Sequence, residues 1–410
     1  MTAFPPPSEL DVAPRRRARD LASSSGRTRS RRGLVAALAA GALLVGAGGW
    51  IAGAGLFGGT PTPSDPAVAG GASASAALSP SAAVLEPSPT PTPGPVMGGW
   101  YAGASGLGVA DGAFASWLGQ PVTIAGTWAD QDLRAQTALS PLGAEYQAWT
   151  GALDIAIAGT VLGSGENYAA AARGAYDARW RTAAATLAAR RGSLESPTFV
   201  RLFHEMNGFW YRNWAVNPGN VEHYKAAHAR YVRILRERMP TVYISWSPNF
   251  RDHSGMPIER WYPGDDVVDC IAPDYYNDTQ RNWTRAAWTA AADDVDQRGN
   301  PLGPEAWRRF AADRGKPLCF PETGLKPVGG VTDQPEWIKA FHAWLTTHAN
   351  TASWELGDPI PAEASGKVLY SIYFNVLHDG MRGYTIHGAG ANPRSAAAFR
   401  SLTWGRAPSP

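Results

Sequence analysis

Two short stretches hold residue types that a packed core has no use for. "FVRLFHEMNGFWYRNW" (199–214) runs mostly apolar residues into His204, Glu205 and Asn207, then into a cluster of rings. "PLCFPETG" (317–324) delivers Glu322 at the end of a second apolar run. Two carboxyl groups brought together from separate segments are what cleavage of a glycosidic bond requires. One is protonated and releases the leaving group, while the other is charged and acts as nucleophile or base. A pair about 5–5.5 Å apart implies retention through a covalent glycosyl-enzyme. The plainer alternative is that each glutamate forms a salt bridge to an arginine such as Arg201 or Arg251. "HEMNG" does not make a zinc motif, because H-E-x-x-H needs a second histidine where Gly208 stands and a helix to carry both. No metal and no cofactor is expected.

The elements that must position this pair follow from the apolar pattern. Eight runs read as strands: 96–104, 121–129, 153–159, 198–205, 242–249, 270–277, 317–324 and 368–375. Helical stretches lie between several of them. Residues 221–239 place Tyr224, Ala227, His228, Tyr231 and Leu235 on one stripe, and 335–349 do the same with Trp337, Phe341, Trp344 and Leu345. Strands alternating with helices imply a parallel sheet. Eight such units predict an α/β fold, a (β/α)₈ (TIM) barrel over 97–405 with its chemistry at the C-terminal strand ends. The expected strand ends are polar there: Glu205, then Asn249, then Asp274 and Tyr276, then Glu322, then Asn375. A doubly wound nucleotide-binding sheet is disfavoured. "GASGLG" (103–108) lacks the acidic residue about 20 positions on at a second strand end.

Composition agrees with a sugar cleft. Seventeen Trp and fourteen Tyr supply flat rings with an apolar face and a polar edge. Desolvation by Phe203, Trp210 and Trp246 would raise the pKa of Glu205 as a proton donor needs. Asn207 and Asn249 are expected as sugar contacts from their strand-end positions, and Trp246 and Asn375 are expected to bind substrate as well. The basic excess sits in residues 1–32, with eight Arg against three acids. The remainder holds 29 basic and 32 acidic residues, which gives no case for nucleic acid. Cys270 and Cys319 are expected as two buried thiols, with pairing as the alternative if their strands are neighbours.

"VRLFHEMNGFWY" and "KPLCFPETGL" resemble glycoside hydrolase family 26, which includes endo-β-mannanases, mixed-linkage β-glucanases and some xylanases. "ARGAYDARW" (172–180) and "YFNVLHDG" (373–380) add to the resemblance. It implies a retaining mechanism on a (β/α)₈ barrel, with Glu205 as acid/base and Glu322 as nucleophile. His204 would then contact the nucleophile and the sugar hydroxyls, and Trp210 would be the stacking platform beside the cleavage point. Tyr276 would hydrogen-bond the nucleophile, with Asp274 in support. "LDIAIAGTVLGSGENY" has no histidine after the third strand, and the eighth strand ends "YFN" rather than in a Trp. Both depart from the mannanases and lean toward a β-glucan substrate, with β-1,4-mannan still open. A transglycosylase or a non-hydrolytic polysaccharide-binding or export-assisting protein is the alternative.

Residues 33–57 are uncharged and supply about 25 apolar positions, which matches the ~20 residues of a membrane-crossing helix. With residues 1–32 as a basic cytoplasmic tail, the bulk of the chain would lie outside the membrane. Secretion after signal cleavage is the alternative. Residues 58–96 are rich in Pro, Ser, Thr and Ala and read as an extended spacer. A monomer acting on a polysaccharide is expected.

Overall fold

The computed structural model describes residues 100–130, 132–277, 283–326, 333–377 and 384–405. The basic tail (1–32), the apolar segment (33–57) and the spacer (58–96) lie outside the described residues. Among those described, no helix is long and apolar enough to cross a membrane.

The strands are β1 (Tyr101–Gly106), β2 (Ile124–Ala129), β3 (Ala152–Ile157), β4 (Thr198–Leu202), β5 (Val242–Trp246), β6 (Cys270–Ile271), β7 (Tyr275–Tyr276), β8 (Leu318–Gly324) and β9 (Val368–Asn375). All pair in parallel, in the order β6-β5-β4-β3-β2-β1-β9-β8-β7, and a further β6–β8 pairing closes the ring. β6 and β7 are two fragments of one wall position. The result is an eight-strand parallel barrel, with the expected sixth strand broken in two. The predicted fourth strand is also shorter than its apolar run. Regular pairing stops at Leu202 because Phe203 turns into the left-handed region, with φ of 52°.

Period-two alternation divides each strand between two cores. Outward residues such as Leu153, Val200, Ile244 and Trp246 pack under the helices. These include Asp177–Arg191, Val221–Arg238, Pro304–Ala312 and Pro335–Thr347. The stripes expected at Tyr224–Leu235 and at Trp337, Phe341, Trp344 and Leu345 pack against the barrel, all buried except Trp344, which is half-buried. Inward residues near the strand starts, among them Ile124, Ala152, Phe199 and Tyr243, form a separate apolar floor, with Trp354 and Leu356 packed against it.

This floor also holds Cys270 and Cys319. They are joined as a disulfide with their Cα atoms 6.3 Å apart, which corrects the expectation of two thiols. As neighbouring wall positions, β6 and β8 pair directly through Ile271 and Leu318, and that brings the sulfurs together.

Candidate active site

Above the floor the barrel interior becomes polar. Arg201 on β4 is fully buried and donates through Nε to Asp154 of β3 at 2.5 Å and through Nη1 to Glu322 of β8 at 2.8 Å. Tyr370 of β9 donates to the other Asp154 oxygen at 2.7 Å, and its hydroxyl lies 2.9 Å from Ser245 Oγ. Burial disfavours a lone guanidinium, but Asp154, Glu322 and Asp274 around it raise its pKa well above the usual arginine value, so it stays charged. A buried ion pair is favourable where further hydrogen bonds satisfy its partners. Here Asp154 and Glu322 receive such bonds from Tyr370, Trp128 and Tyr276, while Arg201 Nη2 has none among the described residues.

Glu322 sits at the C-terminal end of β8 and is 6% exposed. Three donors converge on it. Trp128 Nε1 (2.7 Å) and Arg201 Nη1 (2.8 Å) reach Oε1, while the Tyr276 hydroxyl (2.9 Å) reaches Oε2. Asp274, beneath Tyr276, accepts from Ser247 Oγ at 3.2 Å and lies 3.9 Å from Arg201. Burial and then the charge of Glu322 push its carboxyl far above the usual range.

Glu205 lies three residues beyond the end of β4. Its own φ is 50°, so two non-glycine residues, Phe203 and Glu205, adopt left-handed backbone in one turn. Such geometry costs on the order of 1–3 kcal/mol per residue and persists only where the surroundings impose it. They do so here. The Glu205 amide donates to Ser247 O at 2.6 Å. The buried Phe203 ring packs against Tyr168, Trp180 and Tyr224. Gly159 admits that ring, since a Cβ at position 159 would stand 2.1 Å from it.

The Glu205 carboxyl is bounded differently from that of Glu322. It accepts from Asn249 Nδ2 at 2.6 Å and from Trp210 Nε1 at 2.7 Å, with no cation hydrogen-bonded to it among the described residues. Burial, then the negative charge of Glu322, push it up to about 7, against the opposing pull of Asn249, Lys326 and Trp210. Trp210 reaches this position by folding over Gly208, where a Cβ would meet the indole at 2.4 Å.

The remaining expected residues fall into two groups. Asn249 contacts Glu205 itself. Asn207 is buried, with its amide spent on β5's end: Nδ2 donates to the carbonyls of Asn249 and Arg251, and Oδ1 accepts from the Asn249 amide. It therefore sets Asn249 in place and is not a sugar contact. His204 was expected against the nucleophile. Its Nε2 instead lies 3.0 Å from the Tyr211 hydroxyl and 3.5 Å from Asp130 Oδ2. Burial, and then Arg201, hold its pKa well below the usual value, so the ring is neutral.

Two expectations fail on strand parity. Trp246 faces outward, fully buried against Trp261, Tyr262 and Phe310, and donates to the Tyr224 hydroxyl at 2.9 Å. It neither desolvates Glu205 nor lines the cleft. Asn375 also faces out of the cleft, where it ties the strand end to Leu107, Ile386 and His387. Its neighbour Phe374 is the partly exposed ring, in edge contact with Trp128 at 5.4 Å and near Tyr276.

The sequence reading missed Trp128, Asp130, Asp154, Tyr211 and Phe374, and met Arg201 only as an alternative partner. Signals existed for three of them: Asp154 and Arg201 are charged residues inside otherwise apolar strands, and Trp128 shares the parity of Ile124 and Gly126 on β2.

Residues 181–290 match the model of glycosyl hydrolase family 26. A β-1,3-xylanase of Alcaligenes sp. is 28% identical over 117 residues, which is 28% of this chain and 23% of the xylanase, so the chain spans less than a quarter of that relative's length. Among solved structures, GH26C from Muricauda sp. MAR_2010_75 superposes with a TM-score of 0.47 at 17% identity, over 75% of this chain and 85% of the other. A GH26 β-mannanase from Bacteroides ovatus gives 0.44 at 16% identity, over 74% and 88%.

Proposed function

We infer that this chain, which belongs to glycosyl hydrolase family 26, is a retaining endo-β-glycanase with Glu205 as acid/base and Glu322 as nucleophile. The observation that carries the reading is the opposite provision made for two carboxyl groups at one barrel mouth. Glu205 has its pKa raised to about 7, suited to giving up a proton near neutrality. Glu322 is met by three donors, one of them a guanidinium, suited to presenting a charged oxygen.

In the first step Glu322 attacks the anomeric carbon while Glu205 protonates the departing glycosidic oxygen. The C–O bond breaks and a covalent glycosyl-enzyme remains. Consuming the charge on Glu322 removes one of the influences that raise the pKa of Glu205. The latter then accepts a proton from the water that attacks the intermediate. Tyr276, Trp128 and Arg201 would hold the Glu322 carboxyl in both steps, as nucleophile in the first and as leaving group in the second.

Chemical rescue tests the assignment. Glu322→Ala should abolish hydrolysis with the fold intact, and azide should restore turnover with an inverted glycosyl azide. Glu205→Ala rescued by azide should give the retained anomer. Unchanged hydrolysis by either variant rejects the assignment. The substrate is a β-linked polysaccharide, with mixed-linkage or β-1,4-glucan and β-1,4-mannan as the proposed classes. β-1,3-Xylan is to be tested beside them because of the named relative. Longer oligomers with no net gain in reducing ends would identify a transglycosylase instead.

The reading places the enzyme outside the cytoplasm, tethered through residues 33–57 or released after cleavage there. A disulfide in the barrel supports an oxidising compartment. Fractionation of cells expressing the full chain, with protease access from outside, tests this.

A further inference from the structure

Among the described residues, Phe209 is one of few large apolar side chains left open to solvent, at 55% exposure. It is not an isolated surface residue. Its ring makes edge contacts with Trp210 at 5.3 Å and with His253 at 5.5 Å, and Trp210 and His253 meet at 5.3 Å. The same Trp210 donates to the Glu205 carboxyl, and the His253 amide is fixed to Asn207 O at 3.1 Å. The trio is therefore anchored to the turn that carries the proton donor, with one ring held in the open by two others.

We propose that Phe209 is the stacking platform of a leaving-group subsite, binding a sugar of the polysaccharide beyond the bond to be cleaved. This rests on the glycanase reading above. A general acid delivers its proton to the oxygen that departs with the leaving group, so the leaving-group sugars must lie on the Glu205 side of the cleft. An exposed ring on that side offers the apolar face on which a pyranose stacks. It binds the reducing-end portion of the substrate, which a non-sugar leaving group does not possess.

The test compares two donors with the full chain: the polysaccharide found to be cleaved, and the glycosyl fluoride of its disaccharide, whose leaving group has no ring. Phe209→Ala should lower kcat/KM on the polysaccharide about five- to tenfold, the size of one aromatic contact, and leave the fluoride within twofold. Phe209→Tyr should restore the polysaccharide rate. Equal losses on both donors would show that Phe209 merely props Trp210 and Glu205, and would overturn the proposal. No loss on either would overturn it as well. A wild-type chain that cleaves none of the β-linked polysaccharides named above rejects the glycanase reading, and this inference falls with it.

Discussion

Arg201 and Glu322 form a buried ion pair, Nη1 to Oε1 at 2.8 Å, whose guanidinium is simultaneously held by Asp154. Pairing with an arginine had been the plain alternative to a catalytic role for Glu322. The geometry makes the two compatible, because Glu322 keeps a second oxygen for Tyr276 and stands at the strand end, while Arg201 lies below it. Arg201→Met would leave Asp154 and Glu322 with no cation. Breaking such a pair costs about 3–5 kcal/mol, so urea unfolding should register that loss. Arg201→Lys keeps the charge without the fork and should recover part of the stability, while kcat stays at least tenfold down.

The pKa of Glu205 sets a pH dependence. The proton donor must be protonated, so kcat/KM should fall as pH rises through about 7. Asn249 and Trp210 both stabilise the charged form. Asn249→Ala should therefore move this alkaline limb upward by about one unit, given ~1.4 kcal/mol per unit and the strength of one charged hydrogen bond. A downward move would contradict the hydrogen-bond assignment.

The same group acts on stability with a defined sign. Its folded pKa lies above the free value of 4.5, so between about 4.5 and 7 the folded state binds more protons than the unfolded one. Stability from this group is lost as pH rises through that window. Thermal melts of Glu205→Gln should show a smaller fall between pH 5 and 8 than the parent does.

The Cys270–Cys319 bridge closes a loop of 49 positions in sequence at the barrel floor, away from the carboxyl pair. The chain-entropy relation for that length gives about 4 kcal/mol. Replacing both by Ser should lower the urea midpoint accordingly while kcat and KM stay within twofold. A loss of kcat without a loss of stability would place the bridge in the catalytic machinery instead.

Much of this was legible in the sequence. The eight apolar runs and the helical stripes mark the barrel because burial demands their periods. Glu205 and Glu322 stood out because a carboxyl at the end of an apolar run has no packing role. What escaped was the direction of side chains near strand ends. Trp246, expected at the cleft, faces the helices because Tyr243 and Ser245 occupy the inward positions of β5. Asn375, expected in the cleft, faces outward for the same reason, and its neighbour Phe374 takes the inward position. The turn that lifts Glu205 off its strand could not be read, since neither Phe203 nor Glu205 favours left-handed backbone. It depends on a ring seated over Gly159 and an amide bound to Ser247, contacts from just past the ends of β3 and β5.

Two tryptophans turn this parity argument into an experiment. Trp128 faces the cleft and donates to Glu322, whereas Trp246 faces the helices and donates to Tyr224. Both change to Phe with the loss of one donor. At Trp246 a fully buried hydroxyl loses its partner and the packing against Trp261 loosens, so stability should drop by about 2 kcal/mol with KM unchanged. At Trp128 the side chain is only partly buried, and the nucleophile loses one of three donors. There kcat should fall about tenfold or more while the melting temperature moves little. The two variants should thus separate on a plot of kcat against stability. Finding both on the same axis would mean that the inward and outward faces of β2 and β5 have been assigned wrongly.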